Sequence, residues 1–281
     1  MKKIFVNEVG PRDGLQNIDI ILNVDERFQL IESLERAGIN SLEVGSFVSP
    51  KAVPAMDKTD ALLEKLSTGN SNYSVLIPNT HGYKQAKENK VKEVCLVLCA
   101  TESMNKENIN KNIKDTITEF KAIIDMAKKD KIRTKIYISV AFECPYEGPV
   151  NSKYVYGLTK EFLSYGIDEV VIADTIGAGN PNQVQKVFKE LVKDFGSSVF
   201  SAHFHDTRLL ALSNVKAAME EGITKFDSSI AGLGGCPFAP GASGNLATED
   251  LVSMLHKEGY ETGINEKMLR NSAQLAAQLT N

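Results

Sequence analysis

The chain has 281 residues, of which 42% are hydrophobic and 24% charged, and its net charge is -4. A chain of this size can bury a large core without disulfides, and its interspersed charges exclude the basic footprint of a nucleic-acid-binding protein. No apolar run reaches the length of a membrane-spanning helix, so we expect neither nucleic acid nor a membrane as a partner.

Short β-branched runs alternate with longer helical patterns, which is the rhythm of repeated βα units. Eight strands are predicted at Lys3–Val9, Ser41–Gly45, Tyr73–Ile77, Val91–Leu98, Thr134–Ala141, Glu169–Ala173, Val199–Phe204 and Lys225–Ser229. Helices are predicted at Asp25–Ala37, Asp60–Leu66, His81–Asn89, Ile113–Lys129, Lys153–Tyr165, Asn182–Phe195, Leu209–Glu221, Asn245–Lys257 and Glu266–Gln278.

These alternations predict an α/β fold, a (β/α)8 TIM barrel with an extra C-terminal helix. Eight βα units close a barrel more readily than they extend an open sheet, although an open doubly wound sheet is the alternative. No linker separates the elements, so we expect a single catalytic domain over residues 1–281.

Polar residues lie near the carboxyl ends of the predicted strands, where barrel enzymes place their active sites. The first strand runs into Arg12 and Asp13, the second contains Glu43, and the sixth is followed by Asp174. The seventh ends in a His-x-His pair. The ends of parallel strands meet at one face of a barrel, so we expect these side chains near one another.

The His-x-His pair, His203 and His205, is the most informative feature. Residues two apart in a strand point to the same face, with α-carbons about 6.6 Å apart, so both rings can aim at one ion. Asp13 adds an oxygen donor, and imidazole with carboxylate but without thiolate suits Mg²⁺ or Mn²⁺. The alternatives are two hydrogen-bonded histidines at a barrel rim, and an Arg12–Asp13 pair that merely caps a turn.

The four cysteines form no C-x-x-C pair, which favours a reduced, cytoplasmic protein over a zinc or disulfide framework. Cys95, Cys99 and Cys144 lie in or beside apolar strands and are predicted to be buried packing residues. Cys236 lies in a glycine-rich loop after the last strand, where a thiol on a moving lid could donate a proton. A phosphate cradle is the rival interpretation of this loop.

An ordered set of motifs resembles the hydroxymethylglutaryl-CoA lyases. The motifs are Val9-Gly-Pro-Arg-Asp-Gly-Leu-Gln-Asn17, Glu43-Val-Gly-Ser-Phe-Val-Ser-Pro-Lys51, Cys144-Pro-Tyr-Glu-Gly148, Asp174-Thr-Ile-Gly177, Ala202-His-Phe-His-Asp-Thr207 and Asp227-Ser-Ser-Ile-Ala-Gly-Leu-Gly-Gly-Cys-Pro237. The likeness runs from about Val6 to Leu255. The last motif separates this branch from isopropylmalate and homocitrate synthases, aldolases and biotin-dependent carboxyltransferase domains.

The resemblance implies a lyase that cleaves 3-hydroxy-3-methylglutaryl-CoA, an acyl-CoA, into acetyl-CoA and acetoacetate. It implies one divalent metal cation, Mg²⁺ or Mn²⁺, held by Asp13, His203, His205 and Asn245. We expect Asn245 at the start of the eighth barrel helix, where its amide oxygen is a hard ligand.

The resemblance also implies catalytic roles. Arg12 would stabilise the enolate oxygen of the departing acetyl-CoA, and Cys236 would protonate the enolate carbon. Either Asp13 or His203 would remove the proton of the substrate hydroxyl, and the residues alone do not choose between them. A bound divalent cation would lower the pKa of that hydroxyl.

Supporting roles follow for Glu43 and Asp174, which would orient the ligands, and for Glu249, which would support the cysteine loop. One departure from the family's pattern concerns the residues after His-Phe-His-Asp-Thr. The family usually continues with an aromatic or small residue, a glycine and a polar residue, whereas this chain has Arg208-Leu209-Leu210. We expect this change to reshape the mouth of the site.

Two other functions compete with a lyase. A condensing acyltransferase would use similar ligands, but such enzymes generally carry a further C-terminal domain. A non-catalytic metal-binding barrel would have no use for Arg12 and Cys236 beside a complete ligand set. The family pattern further implies a homodimer.

Overall fold

The structure, a computed structural model, describes residues 2–67, 69, 71–235 and 244–280. Within these ranges eight parallel strands close a barrel. In chain order they are β1 (Phe5–Glu8), β2 (Ser41–Ser46), β3 (Asn72–Leu76), β4 (Glu93–Cys99), β5 (Arg133–Ser139), β6 (Glu169–Asp174), β7 (Phe200–Phe204) and β8 (Lys225–Ser228). Each strand pairs with its neighbours in the chain, and β8 pairs with β1 to close the barrel. The predicted TIM barrel is confirmed.

Helices surround the barrel. They are α1 (Val24–Arg36), α2 (Thr59–Leu66), α3 (Thr80–Glu88), α4 (Glu102–Ile109), α5 (Ile113–Asp130), α6 (Ser152–Tyr165), α7 (Pro181–Phe195), α8 (Ala211–Glu220), α9 (Thr248–Lys257) and α10 (Glu266–Leu279). The predicted extra C-terminal helix is α10, which packs on α1, where the hydroxyls of Ser33 and Ser272 are 2.6 Å apart. None of the helices in the described ranges is both long enough and apolar enough to cross a membrane.

One helix was not predicted, and the start of another was predicted wrongly. Helix α4 was not predicted, because its short polar sequence has little apolar periodicity; it is anchored instead by Asn105, whose Oδ1 accepts from the Cys99 amide at 3.0 Å. The eighth barrel helix begins at Thr248 and not at Asn245. Asn245 instead forms an antiparallel bridge with His205. It therefore lies beside the end of β7.

Strand alternation determines which side chains enter the barrel. On β7, Phe204 belongs to the hydrophobic core and its ring lies 6.4 Å from that of Phe142. Its neighbour His203 instead contacts Asp227 of β8. Successive side chains of a strand point to opposite faces, so the histidine face of β7 lines the interior of the barrel.

Candidate active site

Three potential metal ligands meet at the carboxyl end of the barrel. The ligand atoms of Asp13, His203 and His205 all lie within 4.8 Å of one another. Asp13 lies in a wide helical turn, Gly10–Gly14, that directly follows β1, and its amide donates to the Val9 carbonyl at 2.7 Å. His203 lies on β7 and His205 directly beyond it. The structure thus brings together three residues that come from opposite ends of the chain.

Asn245 lies beside this cluster. Its Nδ2 donates to Oδ2 of Asp13 at 2.8 Å and to the Leu233 carbonyl at 3.0 Å. Among the described residues, Oδ1 of Asn245 and Nδ1 of His205 are buried without a hydrogen-bond partner. An unpaired buried polar atom costs about 1–3 kcal/mol. Two such atoms at one point indicate a partner that can accept their electron pairs, and a cation is such a partner.

The charges around the cluster also favour a cation. Asp13, Glu43 and Asp227 interact with the guanidinium of Arg12 or with one another, and Glu43 and Asp227 are fully or almost fully buried. Arg12 balances part of this negative charge and Lys135 interacts with Asp227, and the remaining carboxylate charge beside the cluster favours a positive ion. Carboxylate, imidazole and amide donors together suit a divalent ion such as Mg²⁺ or Mn²⁺. The residues present therefore fit a divalent metal ion.

His203 is held by a residue to which the sequence analysis gave no role. Its Nδ1 lies 3.2 Å from Oδ2 of Asp227, a contact that fixes the orientation of the ring. Burial opposes the charged imidazole, but the contact with Asp227 outweighs it and raises the pKa of His203. The sequence did contain a signal for this contact: Asp227 lies within the predicted strand Lys225–Ser229, and a carboxylate buried in a barrel strand needs a partner.

Arg12 is oriented by Glu43. Its Nε and Nη2 donate to the two carboxylate oxygens of Glu43 at 2.8 and 3.0 Å, and its Nη1 donates to Oδ1 of Asp13 at 2.7 Å. Burial works against the charge on Asp13, but Arg12 holds the pKa of that carboxyl well below its usual range. Burial raises the pKa of Glu43 in spite of the ion pair. The planar guanidinium is thus fixed beside the ligand cluster before any substrate arrives.

Asp174 and Glu249 support the backbone around the site. The Asp174 carboxylate accepts from two successive amides of the loop after β6, each at 3.0 Å, and its carbonyl accepts from the His205 amide at 3.2 Å. Burial raises the pKa of Asp174 to about 6. Glu249 accepts from the amide of Ala231 at 3.1 Å. Asp174 therefore supports His205 through the main chain, and Glu249 supports the turn that leads to the cysteine loop.

Cys236, the predicted proton donor, lies outside the described residues. The loop is described as far as Gly235, and Gly234 has a φ of +100°, which side-chain-bearing residues rarely adopt. A Cβ on Gly234 would lie 2.7 Å from Nδ2 of Asn245, so only glycine lets this loop approach Asn245 so closely. Cys95, Cys99 and Cys144 are buried, which confirms their prediction.

A cavity of about 470 Å³ opens from the ligand cluster. Arg12 and His203 line one side, and Met104, Asn108 and Lys111 line another. The unpredicted helix α4 therefore supplies part of the cavity wall. A cavity of this size and mixed polarity is typical of sites for small organic ligands.

The departure from the family's pattern shapes the rim of the barrel. Arg208 donates to the Ala178 carbonyl at 3.1 Å and to Oε1 of Glu143 at 3.2 Å, and so joins two neighbouring loops. Leu209 occupies the position of the usual glycine, and it has a φ of +57° with 78% of its surface exposed. The backbone keeps the conformation that a glycine would adopt, although a leucine side chain strains it.

Fold and site together define a (β/α)8-barrel protein whose carboxyl-end cavity combines a candidate metal centre with a buried guanidinium. The HMGL-like family matches residues 3–276. A hydroxymethylglutaryl-CoA lyase of Bacillus subtilis is 40% identical over 274 residues, which cover 97% of this chain and 92% of that protein. The chain belongs to the HMGL-like family, and the resemblance inferred from its motifs is confirmed.

Solved structures agree with this assignment. The HMG-CoA lyase of Brucella melitensis superposes with a TM-score of 0.97 at 36% identity, covering 100% of this chain and 99% of that one. An HMG-CoA lyase from Acinetobacter baumannii, in complex with coenzyme A and 3-methylmalate, superposes with a TM-score of 0.94 at 36% identity. That match covers 99% of this chain and 91% of the other.

Proposed function

We propose that this protein is a metal-dependent carbon–carbon lyase that cleaves 3-hydroxy-3-methylglutaryl-CoA into acetyl-CoA and acetoacetate. The observation that carries the proposal is the cluster of Asp13, His203 and His205 beside the buried Arg12, inside one cavity of a chain of this family. Solved relatives described as HMG-CoA lyases support this substrate.

Asp13, His203, His205 and Asn245 would hold one divalent cation, Mg²⁺ or Mn²⁺. When bound, such an ion acts as a Lewis acid that lowers the pKa of a hydroxyl and stabilises negative oxygen. The unpaired Oδ1 of Asn245 and Nδ1 of His205 support this ligand set, because both gain a partner when a cation is present.

The reaction requires that the tertiary hydroxyl lose its proton and that the adjacent carbon–carbon bond then break. The electron pair of that bond passes to the acetyl-CoA fragment, which leaves as an enolate, while the other fragment becomes the ketone of acetoacetate. Asp13 and His203 are the two candidates for the base. Arg12 would stabilise the enolate oxygen, because Glu43 fixes its charge where negative charge develops.

Cys236 would protonate the enolate carbon and complete acetyl-CoA. Cys236→Ser keeps the size of the side chain but replaces the thiol with a far weaker acid, so turnover should collapse while metal still binds. The buried thiols offer matched controls: Cys95→Ser and Cys99→Ser should act through stability, because a buried hydroxyl needs a hydrogen-bond partner. Near-normal turnover by Cys236→Ser would assign the proton to another group.

The acyl group of the substrate would occupy the 470 Å³ cavity beside Arg12. We further propose that the chain forms one catalytic domain, acts as a homodimer, and works in the cytoplasm on a soluble acyl-CoA. Asp174 and Glu249 would hold the loops around the bound acyl group, as their backbone hydrogen bonds suggest. Sedimentation of the purified protein measures the oligomeric state directly.

The decisive experiment incubates the purified protein with 3-hydroxy-3-methylglutaryl-CoA and Mg²⁺ or Mn²⁺ and measures acetoacetate and acetyl-CoA. The expected result is equal amounts of the two products, and no reaction in excess chelator. A parallel incubation with acetyl-CoA and a 2-oxo acid tests for condensation. Condensation without cleavage would replace the proposed lyase with an acyltransferase.

A further inference from the structure

Four side chains on neighbouring strands form a continuous row of hydrogen bonds that ends at His203. The Ser41 hydroxyl, on β2, donates to Oδ1 of Asn7 on β1 at 2.8 Å. Nδ2 of Asn7 donates to Oδ1 of Asp227 on β8 at 2.9 Å. Oδ2 of Asp227 lies 3.2 Å from Nδ1 of His203 on β7. The row thus links four adjacent strands of the barrel to a candidate metal ligand.

The strand register places the last three members on one level of the barrel. Asn7 pairs with Asp227, and Asp227 pairs with His203. Their exposed fractions are 9%, 2% and 6%. A carboxylate this deeply buried is costly unless its oxygens are paired, and each oxygen of Asp227 has one partner. The position of Asp227 is therefore fixed from both sides.

We propose that Asp227, anchored by Asn7, is a positioning residue that determines which nitrogen of His203 carries the hydrogen. Oδ1 of Asp227 already accepts from Asn7, and Oδ2 accepts a hydrogen bond from His203 when Nδ1 is the N–H of the ring. Nε2 then presents its lone pair, which is what a metal ion requires. The inference rests on the metal site of the proposed function but concerns hydrogen bonds within this chain.

Asn7 has a distinct part in this arrangement. Its amide hydrogens face Asp227 and its oxygen receives the hydroxyl of Ser41, so the amide cannot reverse without placing its oxygen against a carboxylate. Asn7 therefore keeps Oδ1 of Asp227 occupied and leaves Oδ2 for the imidazole. Removing Asn7 should loosen Asp227 without changing the direction of its hydrogen bond to His203.

The test compares Asp227→Asn with the unsubstituted protein. The asparagine keeps the size of the side chain, but its amide can donate to Nδ1 and so move the imidazole hydrogen to Nε2, where it blocks coordination. We expect Mn²⁺ affinity, measured by calorimetry on apoprotein, to fall by about 10- to 100-fold, the usual cost of losing such a partner. The protein has four histidines, so ¹⁵N NMR of labelled imidazoles can follow the tautomer of His203 directly. The spectra are recorded above the pKa of His203.

Two further variants separate positioning from stability. Ser201→Ala removes a buried hydrogen bond from the same strand, because Ser201 donates to Glu169 at 3.0 Å, but it lies outside the row. It should leave both the tautomer and the Mn²⁺ affinity unchanged. Asn7→Ala should weaken Mn²⁺ binding measurably, by about three- to tenfold, the scale of one hydrogen bond, and leave the hydrogen on Nδ1.

The outcomes are distinct. If Asp227→Asn binds Mn²⁺ like the unsubstituted protein and keeps the hydrogen on Nδ1, Asp227 does not position His203 and the inference is overturned. If Asp227→Asn does not fold, Asn7→Ala decides, and unchanged affinity there overturns the inference. If the unsubstituted protein binds no Mn²⁺, the proposed metal site itself fails. If it binds Mn²⁺ but cleaves no substrate, only the proposed reaction fails.

Discussion

The two ends of the barrel both bury charged side chains, but among the described residues the candidate ligand atoms without a partner lie at the carboxyl end. At the amino end, Nζ of Lys135 lies 3.5 Å from Glu93 and 3.3 Å from Glu169, and Lys225 contacts Glu169 at 2.8 Å. Burial opposes the charge on Glu169, but the two lysines lower its pKa to about 2. At the carboxyl end, Asn245 and His205 keep unpaired polar atoms among the described residues.

If the larger cavity were taken as the functional site, the site would be placed at the amino end of the barrel, away from the ligand cluster. The cavity at the amino end measures about 1010 Å³, against about 470 Å³ beside the ligand cluster. The two ends differ in whether their buried charged and polar atoms have ion-pair or hydrogen-bond partners. Where cations and carboxylates satisfy one another, the charges stabilise the barrel, whereas two unpaired atoms beside a carboxylate and a second imidazole indicate a ligand site. A large cavity lined by charged residues that pair with one another is therefore not by itself evidence of a binding site.

The largest expected effect comes from removing a candidate ligand at the carboxyl end, which tests directly whether the two ends differ in function. His205→Ala should cost more turnover than the roughly 10- to 100-fold expected for a residue outside the ligand set. Because Nδ1 of His205 has no partner among the described residues, the metal-free protein should lose little stability. Acetoacetate release and chemical denaturation in chelator measure the two effects. Substantial turnover by His205→Ala would contradict the ligand assignment.

A smaller effect is expected for Arg12→Gln. The loss of charge beside the developing enolate should lower turnover by roughly 10²-fold, with a smaller change in substrate affinity. The change also leaves Glu43 buried without its partner, which should destabilise the fold by about 3–5 kcal/mol.

Its control is the double variant Arg12→Gln with Glu43→Gln, which removes both charges of the pair. It should recover part of the lost stability, since Asp13 still lacks its partner Arg12, but it should not recover turnover; denaturant titration and steady-state kinetics measure the two effects. Recovery of turnover in the double variant would show that Arg12 acts only through the fold.

At the amino end, Lys135→Met should mainly change stability. The methionine removes one of the cations that face Glu93 and Glu169, which keep Arg133 and, for Glu169, Lys225, so the unfolding free energy should fall by about 1–3 kcal/mol. Turnover per folded molecule and Mn²⁺ affinity should change far less than in Asp227→Asn, because Lys135 contacts no candidate ligand and reaches the cluster only through the charge of Asp227. A Mn²⁺ affinity lowered as far as in Asp227→Asn would show that the two ends are coupled.

The smallest effect concerns Glu8, the last residue of β1. Burial raises its pKa to about 7, although it accepts from Thr248 at 2.6 Å, from Ile230 at 2.9 Å and from Gly10 at 2.8 Å. A raised pKa means that the folded state binds the proton more tightly than the unfolded chain does. Glu8 therefore favours folding at low pH, and this contribution is lost as the pH rises from about 4.5 to about 7.

Glu8→Gln should remove this dependence. Above pH 7 the variant should approach or exceed the stability of the unsubstituted protein, with a relative gain of at most about 3 kcal/mol between pH 4.5 and 8. Denaturant titrations at several pH values measure the difference. A difference that does not change with pH would show that Glu8 titrates normally.

The sequence predicted most of the architecture because its periodicity is local. All eight barrel strands lie within or near their predicted ranges. Helix α4 escaped prediction because a polar side chain, Asn105, anchors it rather than an apolar face. Asn245 was predicted to begin a helix, whereas its bridge to His205 depends on a strand distant in the chain.

The candidate ligands could be predicted because the carboxyl ends of the strands meet at one face of a barrel. The hydrogen-bond partners of those residues were harder to predict from the sequence. Asp227 received no role because its contact with His203 lies between neighbouring strands. The resemblance implied that Asp174 orients the ligands, but the sequence did not indicate which groups its carboxylate would contact. In the structure the carboxylate accepts from backbone amides of its own loop. Side-chain hydrogen bonds depend on rotamers that no local pattern specifies.

The hydrogen bond from Asn245 to Asp13 has a consequence for how the protein is made. These residues are 232 positions apart and follow the last and first strands of the barrel. During synthesis, Asp13 emerges long before its partner, and the ligands meet only after nearly the whole chain has left the ribosome. Contacts so distant in sequence form late in folding. Under the proposed metal site, the full ligand set exists only once the segment around Asn245 has been synthesised and folded, so an ion would be bound after the barrel has closed.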